Sequence, residues 1–251
     1  MIIRVGHLYP EYLNIYADRG NIAVFTRRAE ARGHELRVEP VTVGTPLEAG
    51  AHDLLYVGGG QDREQGMIAP DLEARGDAIR EAVDAGAAVL AVCGGYQLLG
   101  RGYRDRDGSW LAGAGLFPLE TVAGETRMIG DVLLESTLAE APGRTIAGFE
   151  NHAGRTILDD DSQPLGRVVS GYGNDGSSGF EGCRIARAVG TYLHGPLLPR
   201  NPWLADLLLS WAIGHATGDD PEALPPLDDE LERQAHEVAA GRARVRGGRP
   251  A

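Results

Sequence analysis

A cysteine followed by two glycines stands where a run of small apolar residues gives way to a helix-forming segment. Residues 87–92 (AAVLAV) predict a buried strand, the turn Cys93-Gly94-Gly95 follows, and residues 96–99 favour a helix. A strand that turns directly into a helix exposes one side chain at the carboxyl end of a sheet, where the helix N–H groups favour negative charge. We therefore interpret Cys93 as a nucleophile; the alternative is a small buried residue at a strand end.

A thiol nucleophile needs a base, and the chain has seven histidines. His194 ranks first, because it ends a short apolar segment and precedes a glycine; His152 and His7, at other predicted strand ends, rank behind it. A cysteine–histidine pair suits acyl transfer, since the imidazole takes the thiol proton and later protonates the leaving amine. The residue types therefore predict acyl-transfer chemistry at Cys93.

Alternating strands and helices must position these groups. In the first part of the chain, strands are predicted at 2–7, 36–41, 53–57 and 87–92, and helices at 21–31 and 72–85. This alternation predicts a parallel sheet with helices on both faces, whose reactive groups lie at the carboxyl ends of the strands. The loop 58–60 and Cys93 then share one edge, where N–H groups of Gly59 or Gly60 and of Gly94 would form an oxyanion hole.

The second part of the chain has a different pattern. Residues 103–190 are rich in glycine and β-branched residues and lack helical periodicity, which predicts a mostly antiparallel layer that extends one side of the sheet. Its strands are predicted near 132–134, 145–149, 167–170 and 183–189. Helices are predicted at 201–216 and 228–240, and the tail 242–251 is predicted to be disordered.

The composition excludes several kinds of protein. A net charge of −12 over 251 residues argues against binding to nucleic acid, which needs a basic face. Cys93 and Cys183 are the two cysteines, so neither a disulfide framework nor a zinc site is expected, and no cofactor is predicted. Cys183 falls in a predicted strand and is interpreted as a buried structural residue. The polar N-terminus and the short apolar stretch 202–214 predict a cytoplasmic protein.

Three motifs together resemble the class I glutamine amidotransferases of the cobyric acid synthase-like branch: GGGQD at 58–62, CGGYQ at 93–97 and YLHGP at 192–196. Four further segments resemble one subfamily, the GatD proteins, which are the glutaminase subunits of lipid II isoglutaminyl synthases. These segments lie at 7–21, 125–131, 148–156 and 171–182. The resemblance covers residues 2 to about 215. It implies a flavodoxin-like α/β domain over residues 1–217, followed by a C-terminal helix and tail over 218–251.

The resemblance implies a reaction and a partner. Cys93 would attack the side-chain amide of L-glutamine, with His194 as general base and acid, and the thioester would be hydrolysed to glutamate. The ammonia would pass to a MurT-like Mur ligase subunit, which uses ATP to amidate the D-glutamate of the lipid II stem peptide. Lipid II would thus be reached through the partner.

The resemblance also assigns substrate-binding residues. Gln97 matches a position that helps to hold glutamine, and Arg127 matches an arginine that binds its carboxylate, as a guanidinium can do with two hydrogen bonds. The alternative for Arg127 is an ordinary surface arginine. Asn174 and Tyr172 line the same pocket or belong to a glycine-rich turn. His152 and its neighbour Asn151 fit a pocket wall or strand-end hydrogen bonding equally well.

One position departs from the wider class. Many class I enzymes have a glutamate two residues after the histidine, where this chain has Pro196. The group that orients the imidazole then comes from elsewhere in the chain, comes from the partner, or is absent, so we expect weak glutaminase activity without the partner. The alternative functions are a glutaminase for a corrinoid-type or other amide synthetase, and a catalytically silent scaffold that binds a partner.

Overall fold

The computed structural model describes residues 1–15, 19–194 and 196–246. The strands in this part of the chain are β1 (Ile2–Leu8), β2 (Glu35–Val41), β3 (Leu54–Val57), β4 (Ala88–Val92), β5 (Gly102–Arg104), β6 (Trp110–Ala112), β7 (Leu119–Ser136), β8 (Thr145–Leu158), β9 (Gly166–Ser170), β10 (Phe180–Glu181), β11 (Cys183–Ile185) and β12 (Ala188–Thr191). The helices are α1 (Arg19–Glu30), α2 (Asp62–Ala74), α3 (Gly76–Asp84), α4 (Gly94–Leu98), α5 (Pro202–Thr217) and α6 (Glu230–Arg246), with a short 3₁₀ helix at Leu198–Arg200.

The first sheet has the strand order β11-β12-β4-β3-β1-β2. Every neighbouring pair from β2 to β12 is parallel, and β11 is added antiparallel at one edge. Its parallel strands therefore follow the order typical of flavodoxin-like folds, which confirms the predicted fold class. Strands β3 and β4 are buried along their whole length, as expected for central strands that helices cover on both faces.

The predicted antiparallel layer forms a second sheet rather than only extending the first. Its centre is a long antiparallel ribbon of β7 and β8, and β9, β10, β5 and β6 complete it. The two sheets touch after β12, where the backbone of His194 pairs with Phe149 of β8. This contact brings the end of the parallel sheet against the ribbon.

Two segments that the sequence predicts as single elements are each divided between two elements in the structure. The range 72–85, expected as one helix, contains the end of α2 and all of α3, and α2 begins earlier, at Asp62. Gly66 and Pro70 inside α2 weaken its sequence signal, whereas Asp62 and Glu64 favour its first turn. The single strand expected at 183–189 is a hairpin of β11 and β12, because Ala186 takes a positive φ of 45° and reverses the chain.

The C-terminal helix is longer than predicted. Helix α6 extends to Arg246, so residues 242–246 are helical and their predicted disorder is wrong; residues 247–251 lie outside the described range. The helix is held by apolar packing of its alanines, Ala239, Ala240 and Ala243, on the ribbon residues Leu133 and Ala147. No helix in the described ranges is long and apolar enough to cross a bilayer.

Candidate active site

Cys93 lies at a sharp turn between β4 and α4. Its backbone angles are φ 50° and ψ −107°, a region that costs a side-chain-bearing residue free energy. The strain is sustained by the surroundings: the Cys93 N–H donates to the carbonyl of Thr191 at 2.8 Å, and Gly95 donates to Gly58 at 3.1 Å. The thiol-bearing residue is 6% exposed. The turn therefore holds one side chain at the carboxyl edge of the sheet, as a nucleophile requires.

The strand register brings Cys93 and His194 to the same edge. Thr191 is the partner of Val92 in the pairing of β12 with β4, so Cys93 and His194 follow adjacent strand ends by one and three residues. His194 is fully buried, and its N–H donates to the carbonyl of Phe149 at 2.7 Å. The parallel sheet positions Cys93, whereas both sheets together position His194.

The glycines expected to form the oxyanion hole are also neighbours. A Cβ on Gly94 would lie 3.0 Å from the amide nitrogen of Gly60, so the two backbones approach closely. Gly94 begins α4, and the first N–H groups of a helix have no acceptor within it. Gly59 accepts a hydrogen bond from Ile15 at 3.2 Å through its carbonyl. The close approach of their backbones makes Gly60 and Gly94 a candidate pair for the oxyanion hole.

A cavity of about 260 Å³ opens above Cys93. This volume is slightly below the roughly 300–1,000 Å³ typical of drug-sized ligands, so it suits a small metabolite. Its walls include the predicted residues Cys93, Gln97, Arg127 and Gly60, together with His152. Among the described residues, its lining does not include His194, Asn174 or Tyr172.

A bulge in the ribbon places Arg127. The β7–β8 register runs from Ala123 opposite Gly154 to Met128 opposite His152, so residues 124–127 face a single residue of β8. Such bulges re-aim side chains next to functional sites. The Arg127 guanidinium donates to the side-chain and backbone oxygens of Asn151 at 3.0 and 3.1 Å. Asn151 is therefore part of the cavity wall and orients the arginine, while other N–H groups of the guanidinium remain for a ligand.

Gln97 is positioned by a buried hydrogen-bonded chain. Its Nε2 donates to the Tyr192 hydroxyl at 3.0 Å, which in turn bonds the Thr156 hydroxyl at 2.6 Å. The Tyr192 backbone N–H donates to the fully buried carboxyl group of Glu181 at 2.6 Å. Sequence reasoning missed Tyr192 and Glu181, because their partners lie far away along the chain.

His152 packs flat on Tyr192 in the wall of the cavity. The ring centroids are 3.5 Å apart with an interplanar angle of 3°. Glu150, two residues earlier on the same face of β8, is fully buried; its two oxygens accept the N–H groups of Tyr172 and Gly173 at 2.7 and 2.9 Å. Polar residues at alternating positions of an otherwise buried strand were the available sequence signal for this pair.

Comparison with known proteins identifies the family. Residues 4–202 match the CobB/CobQ-like glutamine amidotransferase domain. The chain belongs to this glutamine amidotransferase family. It is 38% identical over 94% of its length to subunit GatD of the lipid II isoglutaminyl synthase (glutamine-hydrolyzing) of Streptococcus pneumoniae, and it covers 89% of that protein. The subunit of the same name from Staphylococcus aureus is 36% identical over 96% of both chains.

A solved structure agrees on the fold. PurLQS from Thermotoga maritima matches with a TM-score of 0.59 over 87% of this chain and 99% of the matched chain, at 14% identity. The family model and the two GatD relatives confirm the resemblance expected from the sequence motifs, and the chain is an enzyme of the glutamine amidotransferase type.

In this amidotransferase, the structure gives Asn174 and Tyr172 other roles than contact with the cavity. The Asn174 amide donates to the Gly182 carbonyl at 3.1 Å and accepts from the Gly182 N–H at 2.9 Å and from the Tyr96 hydroxyl at 3.3 Å. These bonds use both ends of a buried side chain. The backbone of Tyr172 caps Glu150. The alternative of a glycine-rich turn therefore accounts for both residues, and their substrate-binding assignment is not supported.

The remaining candidates lie outside the cavity lining. Cys183 is fully buried in β11, and burial raises the pKa of its thiol to about 12, as suits a structural residue. The ring centroids of His7 and Tyr56 are 5.3 Å apart. A larger cavity of about 1430 Å³ lies between α5 and the segment that leads to α6, and it contains none of the predicted site residues. No group of three or more potential metal-binding side chains occurs in the described ranges.

Proposed function

We propose that this chain hydrolyses L-glutamine to glutamate and ammonia through a thioester on Cys93. The observation that carries the proposal is the strained turn that presents Cys93 to a small cavity together with Gln97 and Arg127. Family membership supplies the reaction class. A scaffold without activity would have no use for a nucleophile held at a cost in free energy.

The proposed reaction has two halves. In the first, Cys93 Sγ attacks the side-chain carbonyl carbon, His194 takes the thiol proton, and the C–N bond breaks as His194 protonates the departing ammonia. In the second, water attacks the thioester, His194 accepts its proton, and the proton returns to the sulfur as glutamate leaves. The N–H groups of Gly94 and Gly60 would stabilise the negative oxygen in both halves.

Substrate binding would use the opposite wall of the cavity. The Arg127 guanidinium would bind the α-carboxylate of glutamine, since two of its five N–H groups are used by Asn151. The Gln97 amide donates its N–H to Tyr192, so its carbonyl oxygen would accept an N–H of the substrate amide. The substrate would then lie with its amide towards Cys93 and its α-carbon near the bulge.

The first test compares the two cysteines. Replacing the nucleophile in Cys93→Ser should lower glutamate release by at least about 10⁴-fold. The matched control is Cys183→Ser, which should keep the activity. A glutamine-analogue diazo-ketone should label Cys93 in the wild type and label it more slowly in His194→Ala. If Cys93 is not labelled and no glutamate is released, even with the partner present, the silent scaffold is favoured.

The ammonia acceptor is inferred from the relatives. The proteins from Streptococcus pneumoniae and Staphylococcus aureus are named as subunits of a lipid II isoglutaminyl synthase. We infer that this chain likewise delivers ammonia to a MurT-like, ATP-dependent ligase that amidates the D-glutamate of the lipid II stem peptide. The test is co-purification with such a ligase, followed by glutamine-dependent amidation of lipid II in vitro. Amidation that proceeds from glutamine without this chain would refute the assignment.

Partner binding is also proposed to raise glutaminase activity. Pro196 carries no carboxylate at the position where many class I enzymes have a glutamate that orients the histidine. Glutamate release should therefore be slow for the chain alone and faster with the ligase subunit. Equal and high rates in both samples would contradict this proposal.

A further inference from the structure

A buried histidine in the cavity wall has a ring nitrogen that lacks a hydrogen bond within the described part of the chain. His152 is 2% exposed and lines the cavity beside Cys93. Its Nδ1 lies 2.8 Å from the carbonyl oxygen of Gly154, which only accepts, so we assign a proton to Nδ1. Its Nε2 makes no hydrogen bond to any described residue. Since a buried polar atom without a partner costs free energy, the site calls for a donor.

An acidic side chain lies close to this nitrogen. Glu150 Oε2 lies 3.7 Å from His152 Nε2, too far for a hydrogen bond between them. Each Glu150 oxygen already accepts one backbone N–H, from Tyr172 or Gly173, and each has a second lone pair. A donor about 2.9 Å from both Nε2 and Oε2 would have the two acceptors within reach at once.

The imidazole itself does not supply the missing proton. Burial lowers the pKa of His152, and the opposing effect of Glu150 does not reverse this. The neutral ring with its proton on Nδ1 presents a lone pair at Nε2. An acceptor nitrogen next to a buried carboxylate is a site for a cationic donor, because the carboxylate attracts a positive charge in a region of low dielectric constant.

An arginine in the cavity wall and an acidic residue behind that wall match the two ends of an α-amino acid. Arg127 lies on the bulge and lines the cavity, whereas the carboxyl group of Glu150 lies behind His152 on the facing strand, outside the described cavity lining. Met128, the residue after Arg127, is the register partner of His152, so the two groups are close in the ribbon. An α-carbon between them would direct its carboxylate to one and its ammonium to the other.

We propose that His152 and Glu150 form the subsite for the α-ammonium group of glutamine, with Nε2 accepting a hydrogen bond and Glu150 supplying the countercharge. This inference rests on the proposed glutaminase function. It makes His152 a substrate-binding residue whose effect is on recognition of the free amino acid. The chemical step at Cys93 does not use it.

Two substrate analogues separate this subsite from that of Arg127. Glutaramate is glutamine without the α-ammonium, and 4-aminobutanamide is glutamine without the α-carboxylate; both keep the reacting amide. Ammonia release from each is measured with the wild type, His152→Phe and Arg127→Ala. His152→Phe keeps a ring that can stack on Tyr192 and removes both ring nitrogens, so it tests the hydrogen bond at Nε2 separately from the packing of the ring.

Each variant should reduce the penalty for one analogue and leave the penalty for the other. Wild-type kcat/KM should fall about 10- to 150-fold for either analogue relative to glutamine, as loss of a hydrogen bond to a charged group predicts. In His152→Phe the penalty for glutaramate should shrink several-fold, because the Nε2 acceptor is lost while Glu150 remains, and the penalty for 4-aminobutanamide should be unchanged. Arg127→Ala should show the reverse. A full glutaramate penalty in His152→Phe would overturn the proposal.

Asp62 is the rival acceptor, because it also lines the cavity, although it is exposed in the first turn of α2. Asp62→Asn should leave the glutaramate penalty unchanged. If that variant removes the penalty, the ammonium site is at Asp62 and the proposal is wrong. Absence of glutamine hydrolysis by the wild type, alone and with the ligase subunit, would instead refute the proposed function.

A binding measurement covers the case in which His152→Phe does not fold. In Cys93→Ala protein labelled with ¹⁵N-histidine, the Nε2 resonance of His152 should shift on addition of glutamine. Glutaramate at a concentration that saturates the site should leave it nearly unchanged. Equal shifts with both ligands would contradict the ammonium subsite.

Discussion

The two walls of the cavity are built on different principles. The reaction wall, formed by Cys93 and Gly60 with Gly94 packed beside them, is positioned by the backbone: a strained φ, close glycine contacts and strands buried on both faces. The binding wall, formed by Arg127, Asn151 and His152, is positioned by side chains on a ribbon with a bulge. The difference implies that substitutions in the first wall change kcat, whereas those in the second change KM.

The largest effect expected, apart from that of the nucleophile, is at His194. Removal of the general base and acid in His194→Ala should lower kcat for glutamine hydrolysis by about 10³-fold, because proton transfer is lost in both halves of the reaction. KM should change little. Steady-state kinetics with glutamine measure both values, and a rise in KM at constant kcat would break the proposed division between the walls.

A smaller effect, on KM rather than on kcat, is expected at Arg127. In Arg127→Ala the KM for glutamine should rise by about 10- to 100-fold, because a charge-assisted contact with the carboxylate is lost, while kcat falls much less. Arg104→Ala is the control, since this exposed arginine packs on Trp110 outside the cavity lining. A loss confined to kcat would place Arg127 in the reaction wall.

The rigidity of the reaction wall can be tested at Gly95. A Cβ there would lie 2.7 Å from the carbonyl oxygen of Val57 and 2.8 Å from that of Gly58, so Gly95→Ala must displace backbone. We expect it to lower the free energy of unfolding by about 1–3 kcal/mol. Gly66→Ala, in an exposed position of α2 with nothing within 4 Å of the new Cβ, should be neutral or stabilising. Denaturant unfolding of both variants measures their free energies of unfolding. Equal values would show that the backbone around Gly95 accommodates the added methyl group without cost.

The last effect depends on pH and concerns the buried carboxyl group of Glu181, which accepts the backbone N–H of Tyr192. Burial raises the pKa of Glu181 from 4.5 to about 8. Between these values the folded state holds a proton that the unfolded state has lost, so this contribution to stability is full below about pH 4.5 and declines as pH rises through about 8. Glu181→Gln lacks this titration. Wild-type stability should therefore fall relative to that of Glu181→Gln between about pH 5 and 9; a constant difference would contradict the shifted pKa.

Sequence reasoning succeeded where the signal is local. The apolar run before Cys93, the turn glycines and the alternation of strands and helices are consecutive in the chain, so they predicted the parallel sheet and the placement of Cys93 at its edge. Arg127 entered through resemblance to a family, and the structure places it in the cavity wall.

It failed where a distant partner decides the outcome. Asn174 has the residue type of a ligand-binding side chain, but its amide bonds Gly182 and Tyr96, and the described cavity lining does not include it. The bulge at 124–127 exists because two long strands change register there, and no residue type marks that event. Helix α6 persists to Arg246 because its alanines pack on the ribbon, a tertiary effect that its polar composition conceals.

The bulge has a consequence for how such a site diversifies. The ladder resumes its pairing at Met128 and His152, so the number of residues in the bulge is not tied to the register on either side of it. An insertion or deletion within 124–127 would move the guanidinium while leaving the nucleophile and its strand in place. In descendants of such a gene, the choice of substrate can drift by changes in loop length, independently of the machinery that breaks the amide.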